Sequence, residues 1–132
     1  MRHTIDIKIR GYHLDVFGHV NNARYLEFLE EARWAAVEKT LDLQAMAREG
    51  FAFTVVNINI SYRRPAFLNE MLQVETELTR WGQHSAVMRQ VVKLKGTETV
   101  VADAEITFVM YDTQKQTAAL IEGSLLEMLQ TI

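Results

Sequence analysis

A chain of 132 residues with 14 Lys and Arg, 17 Asp and Glu and a net charge of -3 suits one domain with its own core, spanning residues 1–132. It has no cysteine, which excludes disulfides, thiolate zinc sites and a cysteine nucleophile, and its basic residues form no long stripe of the kind a dedicated nucleic-acid binder shows. No segment approaches the ~20 apolar residues of a membrane span, and the N-terminal MRHTIDIKIR alternates where a signal peptide needs an apolar run, so a soluble, cytoplasmic protein is expected.

In chain order, Ile5, Ile7 and Ile9 alternate with Asp6, Lys8 and Arg10, the pattern of a half-buried strand. A loop from Gly11 to Asn22 follows. Tyr25, Phe28, Leu29, Ala32 and Ala36 then recur at helical spacing, with Leu26, Arg33 and Val37 beside them. So broad a stripe predicts a helix buried on more than one side. A shorter helix is expected from an Asp42 cap to a Gly50 stop. Four strands come next. In the first, Val56, Ile58, Ile60 and Tyr62 alternate with Asn57, Asn59 and Ser61. The second covers about Leu72 to Trp81 and the third about Ser85 to Leu94. In the fourth, Val100, Ala102, Ala104, Ile106, Phe108 and Met110 alternate with polar residues. Short turns between the later strands predict antiparallel pairing. The tail pairs Ser124 with Glu127 at capping-box spacing, then places Leu125, Met128, Leu129 and Ile132 on one helix face.

These elements predict an α+β fold in which a sheet of about five strands curls around one long helix. Such a sheet leaves an edge open, and a second copy would close it.

The stretch DVFGHVNNARYLEFLEEARW, Asp15 to Trp34, concentrates the chemistry. As local structure it reads simply: Asn21 or Asn22 caps the helix, Gly18 permits a turn, and Asp15 makes an Asx-turn. A chemical reading is also available. A helix N-terminus offers unpaired N–H groups and a positive dipole end that polarise a carbonyl oxygen. A carboxylate just before it acts on the carbonyl carbon, either through water as general base or directly as nucleophile. A thioester suits so small a site, because a thiol of pKa ~8.5 leaves with little help from a general acid.

The order Asp15-x-x-Gly18-His19-Val20-Asn21-Asn22-x-x-Tyr25, followed by Glu31-x-Arg33, resembles the hotdog-fold acyl-CoA thioesterases. Within them it is similar to the 4-hydroxybenzoyl-CoA thioesterase-like branch. The longer string RGYHLDVFGHVNNARYLEFLEEARW resembles the bacterial long-chain acyl-CoA thioesterases of that branch, and Tyr62-Arg63-Arg64-Pro65 fits the family's strand end. The resemblance implies a hotdog fold, a homodimer often paired into a homotetramer, and a site at the dimer interface. It also implies Asp15 as the catalytic carboxylate and the backbone N–H of Asn22 or Ala23 facing the thioester oxygen. The substrate is then an acyl-CoA, with coenzyme A part of the substrate and no separate cofactor.

Other members of the wider fold carry a catalytic Glu on the central helix. Glu27, Glu30 and Glu31 are available here, but Glu31 and Arg33 read as members of structural ion pairs or hydrogen bonds and the others as solvated. His19 either orients Asp15, holds the pantetheine arm or stabilises the loop. Asn21 fixes the loop, and Tyr25 is core or pocket wall. Arg63, Arg64, Arg89, Lys93 and Lys95 are candidates for the coenzyme A phosphates, or form surface ion pairs. Ser85 follows a turn where relatives carry a small or basic residue and this chain has His84. His3, His13 and His84 have no metal-ligand spacing. The methionines, with Phe51, Phe53 and Phe67, line an acyl tunnel or simply fill the core. An acyl-carrier-protein thioesterase and a non-catalytic acyl-CoA-binding module are the alternatives.

Overall fold

The computed structural model describes all of residues 1–132. Strand β1 (Arg2–Lys8) leads through one 3₁₀ turn (Gly11–His13) and a tight loop into helix α1 (Asn22–Glu38). A short helix α2 (Leu43–Arg48) precedes strands β2 (Phe51–Tyr62), β3 (Met71–Trp81), β4 (Ala86–Leu94) and β5 (Val100–Asp112). The two-residue β6 (Thr117–Ala118) and helix α3 (Gly123–Gln130) complete the chain. The sheet runs β1-β3-β4-β5-β2, antiparallel throughout, with β6 on the end of β5.

The alternation of the strands decides which face meets the helix. Leu72, Val74 and Thr76 of β3, Met88, Gln90 and Val92 of β4, and Ala102, Ala104, Ile106 and Phe108 of β5 are buried. Tyr25, Phe28, Leu29, Ala32, Ala36 and Val37 form the buried stripe of α1. The opposite face of the sheet is charged, with Lys93 bridging Glu75 at 2.8 Å and Arg80 reaching Glu105 at 3.2 Å. This is the hotdog arrangement, with α1 held in the curl of the sheet.

Four details depart from the sequence reading. The strand expected from Val56 begins at Phe51 and carries a bulge between Val55 and Asn57. The extra residue resets the phase, so Val56 is exposed while Phe51 and Phe53 join Ile58 and Ile60 on the helix side. The α1 stripe is narrower than expected: Leu26 is 40% exposed, because the sheet ends at β2 and leaves that flank, which also carries the exposed Trp34, uncovered. Ser124 lies inside α3, whose N-cap is Glu122 with no side-chain capping bond. Two strands, β1 and β2, are edges, not one. They differ in kind. The seven residues of β1 include Arg2, Asp6 and Lys8, whereas the twelve of β2 include no charge at all.

Helix α2 follows its sequence signals closely. Asp42 Oδ1 accepts the Ala45 N–H at 3.0 Å, and Gly50, at φ +91°, turns the chain into β2.

Candidate active site

The loop before α1 is a small hairpin. Leu14 and Val20 bridge its base, the Asp15 N–H donates to the His19 carbonyl at 3.0 Å, and the Gly18 N–H returns to the Asp15 carbonyl at 3.1 Å. Gly18 sits at φ +80°, a backbone conformation that favours glycine. Val16 and Phe17 form the exposed tip. The hairpin is tied at both ends: the Asn21 N–H donates to the His13 carbonyl, and the Val20 N–H to that of Ala66, each at 2.9 Å.

This framework splits the Asp15 carboxylate into two roles. Oδ1 accepts the Phe17 N–H at 2.9 Å, the expected Asx-turn, and His19 Nδ1 lies 3.9 Å away. Oδ2 has no partner in the protein. The carboxylate is therefore oriented by one oxygen and available through the other, with its side chain 23% exposed. His19 Nδ1 is also 3.4 Å from the Val20 carbonyl, and its ring stacks on Phe17.

The helix start distinguishes between the two candidate N–H donors. Asn21 is the N-cap, and its Oδ1 accepts the Ala23 N–H at 2.9 Å. The Ala23 donor is thus already satisfied, while the Asn22 N–H has no protein acceptor. The Tyr62 hydroxyl donates to the Asn22 carbonyl at 3.1 Å and pins the end of β2 to this junction.

Tyr25 is a buried wall, edge-on to both Phe28 and Tyr62. Burial pushes its phenol up to about 12, against a smaller opposing effect from a backbone hydrogen bond of Ala66. Arg64 makes two 3.0 Å hydrogen bonds to Glu70, which also accepts the Phe67 N–H at 2.7 Å, and Phe67 bridges His19. Arg64 thereby braces the strap that the hairpin leans on.

Arg63 turns to the charged face of the sheet and pairs with Asp103 at 3.1 Å. Arg89 is exposed on that same face, between Glu77 and Glu105 in register and without an ion pair. Lys93 and Lys95 are bound to carboxylates, Glu75 and Glu98 for the first and Asp6 for the second. Ser85 is far from the hairpin within one chain. Its neighbour Ala86 pairs with Phe108, whereas Arg63 and Arg64 bond to Val101 at the other end of β5. Seven residues of strand separate those points, roughly 23 Å.

A second feature lies toward the other end of α1. A cavity of about 300 Å³ opens between α1, α2 and β2, with Val37, Met46, Phe51, Phe53, Met88 and Phe108 among its walls. Of the methionines and phenylalanines singled out in the sequence, Met46, Met88, Phe51 and Phe53 line this cavity, whereas Phe67 is exposed on the far strap. The cavity has two charged residues, Glu30 and Arg33, one helical turn apart.

Arg33 makes the structural hydrogen bond expected of it, within a network whose other members, Gln90 and Thr76, the sequence reading missed. Its Nη1 donates to Gln90 Oε1 at 3.1 Å; Gln90 Nε2 donates to the Leu29 carbonyl and to Thr76 Oγ1, both at 2.9 Å. Gln90 is fully buried. The available signal was its phase: Gln90 and Thr76 are polar residues at inward positions of their strands.

A long helix held in the curl of an antiparallel sheet places the chain in the hotdog class. The chain belongs to the Thioesterase-like superfamily, which it matches over residues 9–129. It is 52% identical over 124 residues to the long-chain acyl-CoA thioesterase FadM of Escherichia coli, covering 94% of each chain. It is 32% identical over 102 residues to the acyl-CoA thioester hydrolase YbgC of Shigella flexneri, covering 76% of this chain and 75% of that one. Among solved structures, the probable thioesterase YbaW of Escherichia coli superposes with a TM-score of 0.91 at 51% identity, covering 97% of this chain and 96% of that one.

Proposed function

We propose that this protein hydrolyses medium- to long-chain fatty acyl-CoA thioesters to the free acid and coenzyme A. The observation that carries the reading is the divided Asp15 carboxylate beside a helix whose Asn22 N–H is unused. The similarity to FadM supports the substrate class. Coenzyme A belongs to the substrate, and the chemistry described needs no further cofactor.

In the general-base form, Asp15 Oδ2 takes a proton from water and the resulting hydroxide attacks the thioester carbon. The oxyanion develops against the Asn22 N–H and the positive end of α1. Collapse of the tetrahedral intermediate expels the coenzyme A thiolate, which takes up a proton. In the nucleophilic form, Oδ2 attacks the acyl carbon, the C–S bond breaks and the coenzyme A thiolate leaves, and water then cleaves the resulting anhydride to the free acid and the Asp15 carboxylate. His19 and Asn21 serve the site by holding the hairpin and the cap. Arg63 and Arg89 are the proposed phosphate contacts: Arg63 is exposed, although Asp103 holds it through two hydrogen bonds, and Arg89 has no ion pair. Arg64 serves as a brace, with Tyr25 as wall.

The working unit is proposed to be a homodimer formed through the uncharged edge β2. Natural edge strands that must stay single carry charges, as β1 does. Antiparallel β2–β2 pairing about a two-fold axis brings the Tyr62 end of one copy to the Phe51 end of the other. The hairpin end of one chain then lies toward the cavity end of its partner. A cytoplasmic location goes with this reading.

The test is thiol release from a panel of acyl-CoA esters, wild type beside Asp15→Asn and Asp15→Ala, each checked for folding and oligomeric state. The expected outcome is turnover by the wild type and a loss of at least ~10²-fold in both variants. Turnover undiminished in a folded Asp15→Ala would refute the role of the hairpin. Label in Asp15 after single turnover in oxygen-18 water would identify the nucleophilic form, with water attacking the Asp15 carbonyl of the anhydride; trapping an acyl-enzyme tests for the same intermediate when water attacks the acyl carbon.

A further inference from the structure

The cavity beside α1 is not a plain hydrocarbon slot. At roughly 30 Å³ per water-sized group its volume of about 300 Å³ holds a chain of about ten methylenes, but its wall carries a cation. Arg33 is half-buried and has no carboxylate within ion-pairing distance. Its one hydrogen bond is to the neutral amide of Gln90, leaving Nε and Nη2 without a protein acceptor. Gln90 cannot turn away: the Leu29 carbonyl accepts only, so Nε2 must face it and Oε1 must face Arg33. Burial holds the guanidinium below the usual arginine range, with the charge of Glu30 acting in the opposite direction.

A saturated chain filling this cavity would strip water from those free donors and offer nothing in return, a penalty that is larger for a charged group than for a neutral one. An oxygen on the chain removes that penalty. Glu30 narrows the choice, because it lines the same cavity and supplies an acceptor. A hydroxyl accepts from Arg33 and donates to Glu30; a keto oxygen satisfies only Arg33; a terminal carboxylate pairs with Arg33 but sets a second negative charge beside Glu30, whose acceptor then goes unused. We propose that the cavity is a subsite for acyl chains bearing a hydroxyl along their length, with Arg33 as the specificity-determining residue and Glu30 as its acceptor counterpart. This rests on the acyl-CoA thioesterase reading and specifies the substrate class within it.

The experiment is calorimetric binding of non-hydrolysable S-alkyl-CoA thioethers, with chains of about ten carbons, either plain or hydroxylated at successive positions. Wild type, Arg33→Met and Arg33→Lys are compared, all confirmed folded by circular dichroism, and the plain acyl-CoA ester is assayed for hydrolysis in parallel. Expected is a preference of about tenfold or more for one hydroxyl position in the wild type, lost in Arg33→Met through tighter binding of the plain chain and weaker binding of the hydroxylated one. Arg33→Lys, which keeps the charge, should retain part of it. Equal affinity for plain and hydroxylated chains in the wild type would overturn the inference while hydrolysis of the plain ester left the thioesterase reading standing. A preference unchanged in Arg33→Met would also overturn it. Failure of every thioether to bind, with no hydrolysis, would overturn both.

Discussion

Replacing Gln90 by Leu tests how much of the fold hangs on one buried amide. The substitution keeps the approximate volume and removes three hydrogen bonds, to the Leu29 carbonyl, to Thr76 Oγ1 and from Arg33 Nη1. Two are neutral, at about 1 kcal/mol each, and one is charge-assisted, at about 1.5–3 kcal/mol. The Leu29 carbonyl keeps its helical bond, but the Thr76 hydroxyl, 1% exposed, loses its only partner in the core. Burying an apolar side chain in place of the amide returns about 1 kcal/mol. The expected net loss is about 3 kcal/mol, or a fall in Tm of roughly 10 °C for a chain of this size. Urea denaturation at fixed protein concentration measures it, since oligomerisation shifts apparent stability. A Thr76→Val control should cost about 1 kcal/mol, and in a double-mutant cycle the two should couple by at least ~0.5 kcal/mol. A loss below ~1 kcal/mol for Gln90→Leu would refute the view that this network organises the contact between α1 and the sheet.

Three further outcomes are expected. His3 is buried with Nε2 unpartnered, and His13 is buried against Phe28, with its Nδ1 accepting the Arg10 N–H. Burial lowers both pKa values from 6.5, so the folded state binds fewer protons than the unfolded one. Stability should hold above pH ~6.5 and fall as pH drops below it; urea titrations across that range should show a shallower slope in His3→Gln and His13→Gln. The Arg64 hydrogen bonds hold the Glu70 carboxyl below the usual carboxylate range, so its stabilisation is present above the unfolded pKa of 4.5 and lost as pH falls through the lowered folded value. Glu70→Gln should cost about 1 kcal/mol at pH 7 and little at pH 3 by the same assay. Finally, Val56→Lys places two like charges near the two-fold axis of the proposed β2–β2 pair. Light scattering should show a folded monomer with reduced thioesterase activity, and an unchanged dimer would exclude that edge.

Much of this architecture is dictated locally. Alternation at Val100–Met110 and the 3.6-residue recurrence from Tyr25 to Ala36 choose strand and helix without help from the rest of the chain, because each burial period has one compatible backbone. Asp42 and Gly50 announce the ends of α2 for the same reason: capping and positive φ are satisfied within a few residues. The Asp15-to-Asn22 hairpin was legible as a motif, and its Asx-turn as a single-residue property.

What the sequence did not determine depends on partners distant along the chain. Whether Ala23 or Asn22 offers a free N–H depends on which asparagine caps. The phase of β2 changes at Val56 because twelve residues must follow the curl of β5, and a bulge absorbs the mismatch. Arg33 read as an ordinary structural arginine until the sheet placed Gln90, 57 residues later, against it. The ionic partners of Arg63 and Arg64 were equally invisible, since Asp103 and Glu70 meet them only through strand register and a folded strap. Periodicity reports which face of an element is buried; what that face is buried against is a property of three-dimensional contact, and this protein's cavity chemistry is set there.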